Sequence, residues 1–291
     1  MTTTVSTPGP PVVPVSRAPS GLAVDVRAIR IVCHRELLRW AKDRGRLFAG
    51  LVQPLLWLFV LGTGLSRVVS AGAEGVDFRT FLFPGVLATS VLFTAVFSGV
   101  SVVWDREFGF LREMLVAPIR RSSIILGKCL GGAIVATGQA CMILALAGFA
   151  GVPYSPVLFI EMLGILFLVS TACTAFGLLL AARVSNIQAL MPIIQTVVTP
   201  MMFLSGALYP VGDLPTWLLV LTKLNPLTYG VQPMRHAVFS HLDLSPAATG
   251  ALDPGVTWWG WQVPVALQLV TLAALGAAVL AIAVARFSRT E

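Results

Sequence analysis

This sequence predicts an all-α polytopic membrane protein with six transmembrane helices, and three observations carry that prediction. The first is composition. Of 291 residues, 56% are hydrophobic and only 11% charged, with a mean hydropathy of +0.86. A soluble domain carries about 25% charge; less than half of that cannot cover a water-facing globule, so lipid must solvate most of the surface. The second is a set of six apolar windows, at about 47–66, 81–103, 123–149, 157–182, 189–208 and 263–285. Each is near the roughly 20 residues that cross a bilayer core as a helix, and too long for a barrel strand. The third is charge placement. Threading the windows alternately across a membrane leaves only Arg67, Arg79, Lys223 and Arg235 on one side, with all other Lys and Arg residues opposite. Basic residues mark the cytoplasmic side. An integral inner (cytoplasmic) membrane protein with both termini inside is therefore expected, and the net charge of +7 reports orientation rather than a nucleic-acid partner.

Taken in order, residues 1–22 begin MTTTVSTPGPPVVPVSRAPS, rich in Pro, Thr and Ser. They lack a basic n-region and a continuous apolar h-region, so they read as a disordered cytoplasmic tail and not a secretory signal. Residues 23–291 are expected to form one membrane domain. Within 24–44, Val26, Ile29, Cys33, Leu37 and Trp40 recur at helical spacing while Arg27, Arg30, Arg35, Arg39 and Lys42 occupy another face. A basic amphipathic helix of this kind lies in the inner interface plane. The six windows follow, the third carrying a GxxxG at Gly127 and Gly131 that permits close helix contact. Between the fifth and sixth, residues 214–224 and 227–239 are apolar but too short to cross. Asn225–Pro226 separates them, since Pro cannot continue a helix, and a helical hairpin dipping in from the outer face is expected. Trp258, Trp259 and Trp261 are then placed at headgroup depth.

Several chemistries leave no mark. A phosphate-cradling loop needs GxxxxGK followed by Ser or Thr; around Gly127–Lys128, Ser122 replaces the first glycine and Cys129 the hydroxyl residue. There is no HExxH, and His34, His236 and His241 have no evident ligand partners. Cys33, Cys129, Cys141 and Cys173 show no metal-ligand spacing, and three of the four fall in apolar runs as small hydrophobes. No catalytic, cofactor or metal site is expected in this chain. An ion-coupled carrier would need an acid or base at mid-membrane, and only the shallow Glu161 is a candidate, for a substrate path or for snorkelling to the surface. Gln195 reads as an interhelical hydrogen-bonding residue or as part of the same path.

The segment REFGFLREMLVAPIRRSSI, residues 106–124, is unusual for its charge. Residues 105–118 read as a short cytoplasmic helix, with Asp105 as N-cap and Pro118 as stop. Phe108, Leu111 and Leu115 share one face, with Phe110 and Met114 beside them. Such a stripe suits a groove on a partner protein, or equally a membrane surface or the chain's own spans.

Three stretches in this order, REFGFLREMLVAPIRRSSIILGK, FLSGALYPVGDLPTWL and NPLTYGVQPMR, resemble the membrane subunit of ABC-2 type exporters, particularly daunorubicin-resistance-like permeases. The first carries the family pattern on Glu107, Gly109, Leu111, Leu115 and Pro118. The resemblance spans about residues 25–285. It implies an N-terminal elbow helix, a coupling helix between spans two and three, and an outer re-entrant hairpin. It also implies two permease subunits, a homodimer more readily than a heterodimer, working with two copies of a separate P-loop ATP-binding subunit that holds ATP and Mg. On this resemblance Glu107, Phe108, Gly109, Phe110, Leu111, Met114 and Leu115 dock the ATPase; Glu161, Gln195, Asn225, Pro226 and Tyr229 are the candidates for a substrate path or outer gate. The expected function is multidrug-type efflux across the cell membrane, moving a hydrophobic or amphipathic, drug- or lipid-like molecule outward. A polysaccharide or glycolipid exporter is the alternative, and an ion-coupled secondary transporter a third reading.

Overall fold

Lipid tails are as apolar as leucine, so membrane helices associate where small residues let backbones close and where polar groups meet. In the computed structural model, which describes residues 21–69, 77–109, 120–184, 186–211, 214–242, 250, 252–258 and 260–289, both kinds of contact gather around one helix. The elements are α1 (Leu22–Lys42), α2 (Arg44–Leu56), α3 (Gly62–Val69), α4 (Phe78–Glu107), α5 (Arg121–Leu144), α6 (Pro156–Ala181) and α7 (Ile187–Phe203). They continue with α8 (Thr216–Leu224), α9 (Thr228–Phe239), a two-residue antiparallel ribbon of β1 (Thr257–Trp258) and β2 (Trp261–Gln262), and α10 (Val265–Arg289).

Among the described residues five helical runs are long and apolar enough to cross a membrane: Arg44–Ser66, Phe78–Glu107, Arg121–Leu144, Pro156–Ala181 and Val265–Ser288. They coincide with five of the six apolar windows, and the chain is an α-helical polytopic membrane protein. The first run is continuous through a π-helical stretch, Trp57–Leu61, just beyond Pro54. Proline removes one backbone donor and crowds the preceding turn, and π-bulges commonly absorb such a fault. The remaining window, 189–208, differs from expectation. Its helix, α7, has 17 residues, about 26 Å at 1.5 Å per residue against the roughly 30 Å of a bilayer core. Pro192 and Pro200 lie inside it, and the chain turns out of the helix by Gly206, whose φ is +71.

The inner helix is α4, 83% of whose most apolar stretch is covered by neighbours, while the α2–α3 run and α10 are mostly exposed. A Cβ placed on Gly99 of α4 would lie 2.5 Å from the Thr174 carbonyl oxygen, and one on Gly177 of α6 would lie 2.4 Å from that of Val96. Two glycines thus bring these backbones into contact. Across α5 and α6 the Thr137 hydroxyl donates to Ser170 Oγ at 3.1 Å, a buried polar link.

The GxxxG of α5 receives α1. Val32 lies against Gly127 and Glu36 against Gly131, and contacts run from Asp25 at Ser123 to Trp40 at Gly138. The covered face of α1 is Ala28, Val32, Cys33 and Glu36. The expected face of Val26, Ile29, Cys33, Leu37 and Trp40 is therefore rotated: Val26 is exposed, and so are Leu22, Ile31 and Leu38. Small residues fit the grooves at Gly127 and Gly131, Trp40 packs on Gly138, and Ile29 and Leu37 are half-buried.

Candidate functional site

The candidate site begins where α4 ends. Asp105 does not cap a new helix, as its spacing suggested. It belongs to the last turn of α4, which continues to Glu107 before Phe108 and the left-handed Gly109 (φ +80) end it. Phe108 is exposed. Phe110, Leu111, Met114 and Leu115 lie outside the described residues.

Three consecutive residues at this root reach three separate parts of the molecule. Asp105, buried, turns toward α1 and α5. Its Oδ2 accepts from Lys128 Nζ at 2.6 Å and from Arg35 Nη2 at 2.7 Å, with Arg39 Nη1 3.6 Å from Oδ1. Arg106 places its guanidinium 5.6 Å from the centre of the Phe287 ring, on α10. Glu107 Oε1 accepts the Ile187 backbone N–H at 2.9 Å, beside the cap that Asn186 makes with Gln188 N–H at 2.7 Å. A carboxylate at a helix N-terminus satisfies an orphan donor and complements the helix dipole.

The Asp105 contacts belong to a buried ion cluster. Lys128, 1% exposed, also donates to Glu36 Oε1 and Ser101 Oγ, both at 3.0 Å, so each of its three N–H groups has an acceptor. Arg35 Nη2 donates to the same Glu36 oxygen at 3.1 Å. Buried charge is tolerated where it is paired and hydrogen-bonded in this way. The cluster ties α1, α4 and α5 at one level. Sequence reasoning missed it, although signals existed. Glu36 follows Ala28 and Val32 at four-residue steps on one face, and Lys128 interrupts an apolar window just after the charged segment.

Removing the Glu107 cap is expected to loosen α7 first. Glu107→Ala should cost about 0.5–2 kcal/mol locally and speed amide hydrogen exchange at Ile187 and the turn that follows. Unchanged protection there would mean that the contact holds nothing.

The outer-path candidates separate into two groups. Asn225, Pro226 and Tyr229 come together where α8 meets α9. Asn225 Nδ2 donates to the Met201 carbonyl at 2.6 Å and its Oδ1 accepts from Leu227 N–H at 3.1 Å, pinning the hairpin turn to α7. Tyr229 OH donates to the Lys223 carbonyl at 2.8 Å and accepts from Trp258 Nε1 at 3.1 Å. Pro226 borders an apolar cavity of about 200 Å³ together with Leu227, Met201, Cys173 and Leu272. Gln195 and Glu161 are exposed on α7 and α6 and do not border that cavity. Beside the hairpin, Arg235 is fully buried. Its Nη2 donates to the Gly206 carbonyl at 2.7 Å and its guanidinium lies 4.2 Å from the Phe81 ring centre, a cation–π contact.

With this geometry in hand, comparison with known proteins is informative. The family model described as ABC-2 type transporter matches residues 27–239, from α1 through the charged segment to the end of α9. A protein named transport permease ycf38 from Cyanophora paradoxa is 32% identical over 199 residues, 67% of this chain and 68% of that one. Nodulation protein J from Rhizobium leguminosarum bv. trifolii is 29% identical over 220 residues, 72% of this chain and 80% of its own. A protein named multidrug ABC transporter permease YbhR, from Escherichia coli, is 30% identical over 156 residues, 53% of this chain and 42% of its own.

Proposed function

The chain belongs to the ABC-2 type transporter family, and on that premise we propose that it is the membrane subunit of an ATP-driven exporter. It moves a hydrophobic or amphipathic molecule, drug- or lipid-like, outward across the inner membrane. Separate P-loop subunits, two per complex, bind ATP and Mg and dock on the segment that follows α4, through Glu107, Phe108, Gly109, Phe110, Leu111, Met114 and Leu115. Two copies of this chain form the pathway, with α7 as a sixth crossing, α1 as the elbow helix and both termini in the cytoplasm. Asn225, Pro226 and Tyr229 act at the outer end, with Gln195 and Glu161 as further path residues.

The observation that carries this reading is the root of the charged segment. A docked ATPase that pushes on residues 108–118 moves a rod whose last turn is bonded to α1 and α5 through Asp105, to α10 through Arg106 and to α7 through Glu107. Rigid elements joined in this way switch between packings as units. A second reading is export of a polysaccharide or glycolipid, for which Phe93, Phe97, Trp104, Gln139 and Thr94 offer aromatic and polar groups in a crevice that Arg39, Asp43 and Arg46 also border.

The test is reconstitution. Proteoliposomes containing this chain and an ATP-binding subunit should extrude a fluorescent amphiphile only with hydrolysable ATP. Equal movement with a non-hydrolysable analogue, or without the second subunit, would overturn the proposal.

A further inference from the structure

The crevice between the α1–α2 bend and α4 has two unlike ends. Its wider part, about 450 Å³, is bordered by Arg39, Asp43 and Arg46 at the bend and by Trp104 and Phe97 on α4, with Gln139 of α5. This is within the usual range of small-molecule sites, about 300–1,000 Å³. Past Gly50, Phe93 and Thr94, which border both parts, a narrower space reaches Trp57, Thr89 and Ser90. From Trp104 to Thr89 is fifteen residues of α4, about 22 Å. One leaflet's hydrocarbon is about 15 Å deep, half the bilayer core. Together the two spaces run beside a stretch of α4 longer than one leaflet's hydrocarbon is deep.

The charged end has an excess of cations. Asp43 already accepts the Arg46 backbone N–H at 3.0 Å, as the cap of α2. Arg39 reaches Asp105 only at 3.6 Å, and that carboxylate is held more closely by Lys128 and Arg35. No carboxylate among the described residues lies within ion-pair distance of the Arg46 side chain. Two guanidinium groups thus stand at the mouth of the crevice, where the one bordering carboxylate, Asp43, caps α2. Guanidinium forks match phosphate and carboxylate oxygens in pairs, and the channel beyond them suits a chain without charge.

We propose that this crevice binds an anionic amphiphile, its phosphate or carboxylate head on Arg46 and Arg39 and its apolar chain along Phe97 and Phe93. The identification of that amphiphile as cargo rests on the export reading above; the binding itself does not. A cationic drug is disfavoured by the same two arginines, so the crevice narrows the substrate class.

The experiment is native mass spectrometry of the purified full-length chain, without nucleotide or ATP-binding subunit. The chain is equilibrated with equimolar dipalmitoyl phosphatidic acid and dipalmitoyl phosphatidylcholine. Wild type should retain the anionic lipid preferentially. Arg46→Gln should reduce that preference about tenfold, as expected for loss of a charge-assisted contact, and Arg46→Lys should recover part of it. Lys223→Gln, on α8, should leave it unchanged. Matching thermal midpoints among the variants separate lost binding from lost folding. Equal retention of the two lipids by wild type, or an unaltered preference in Arg46→Gln, overturns the proposal. So does displacement of the lipid by inorganic phosphate at comparable concentration, which would make the site one for free anions. Failure here with ATP-dependent transport intact removes only the crevice assignment; intact binding without ATP-dependent transport removes only the exporter.

Discussion

Replacing both Leu111 and Leu115 with Asp is expected to abolish copurification of the ATP-binding subunit and reduce ATP-driven transport to background. Burying a leucine contributes about 1.5–3 kcal/mol, so two lost anchors remove roughly 3–6 kcal/mol. An unpaired carboxylate forced into the same groove costs more. At 1.4 kcal/mol per factor of ten, the first effect alone weakens docking by about two to four orders of magnitude. In sequence both residues fall between Glu107, the last residue of α4, and Arg121, the first of α5, so the spans should still fold, which a wild-type thermal midpoint for the purified permease would verify. A double variant that still copurifies and transports normally would place docking elsewhere on the chain.

The second large effect is on stability. Asp105→Ala should lower the unfolding free energy by about 3–5 kcal/mol, the usual consequence of removing one partner from a buried ion pair. The loss strands Lys128, which is only 1% exposed, and removes the 2.7 Å contact that Arg35 makes with the same carboxylate. Adding Lys128→Met should return part of the loss, because the stranded cation is then gone, and the two substitutions should be strongly non-additive. Thermal unfolding in detergent reads both. A change below about 1 kcal/mol for Asp105→Ala would mean that the cluster behaves as an exposed set of ion pairs.

Much of the architecture was readable beforehand. Spans Phe78–Glu107, Arg121–Leu144 and Pro156–Ala181 follow from runs of apolar residues that only a helix can carry through lipid. The pair α8 and α9 is divided at Asn225–Pro226, where the sequence placed the break. Less was readable of the site. Asp105 looked like an N-cap because Ser, Thr, Asn and Asp before an amphipathic run usually are. Its actual partners, Lys128 and Arg35, stand 23 and 70 residues away in sequence. The face of α1 was misjudged for a related reason. Hydrophobic periodicity selects the largest apolar residues, yet the glycine groove of α5 accepts the smallest, Ala28, Val32 and Cys33, and one acid, Glu36.

The amino-acid order by itself determined that this chain lives in lipid, that helices cross it, and that a charged segment interrupts them after the second span, since each follows from local backbone and solvation energies. Only the tertiary structure decided what the charges do. A carboxylate's effect depends on which cations the packed helices bring within about 3 Å, and so Asp105, Arg106 and Glu107, three neighbours in the chain, bind four different helices.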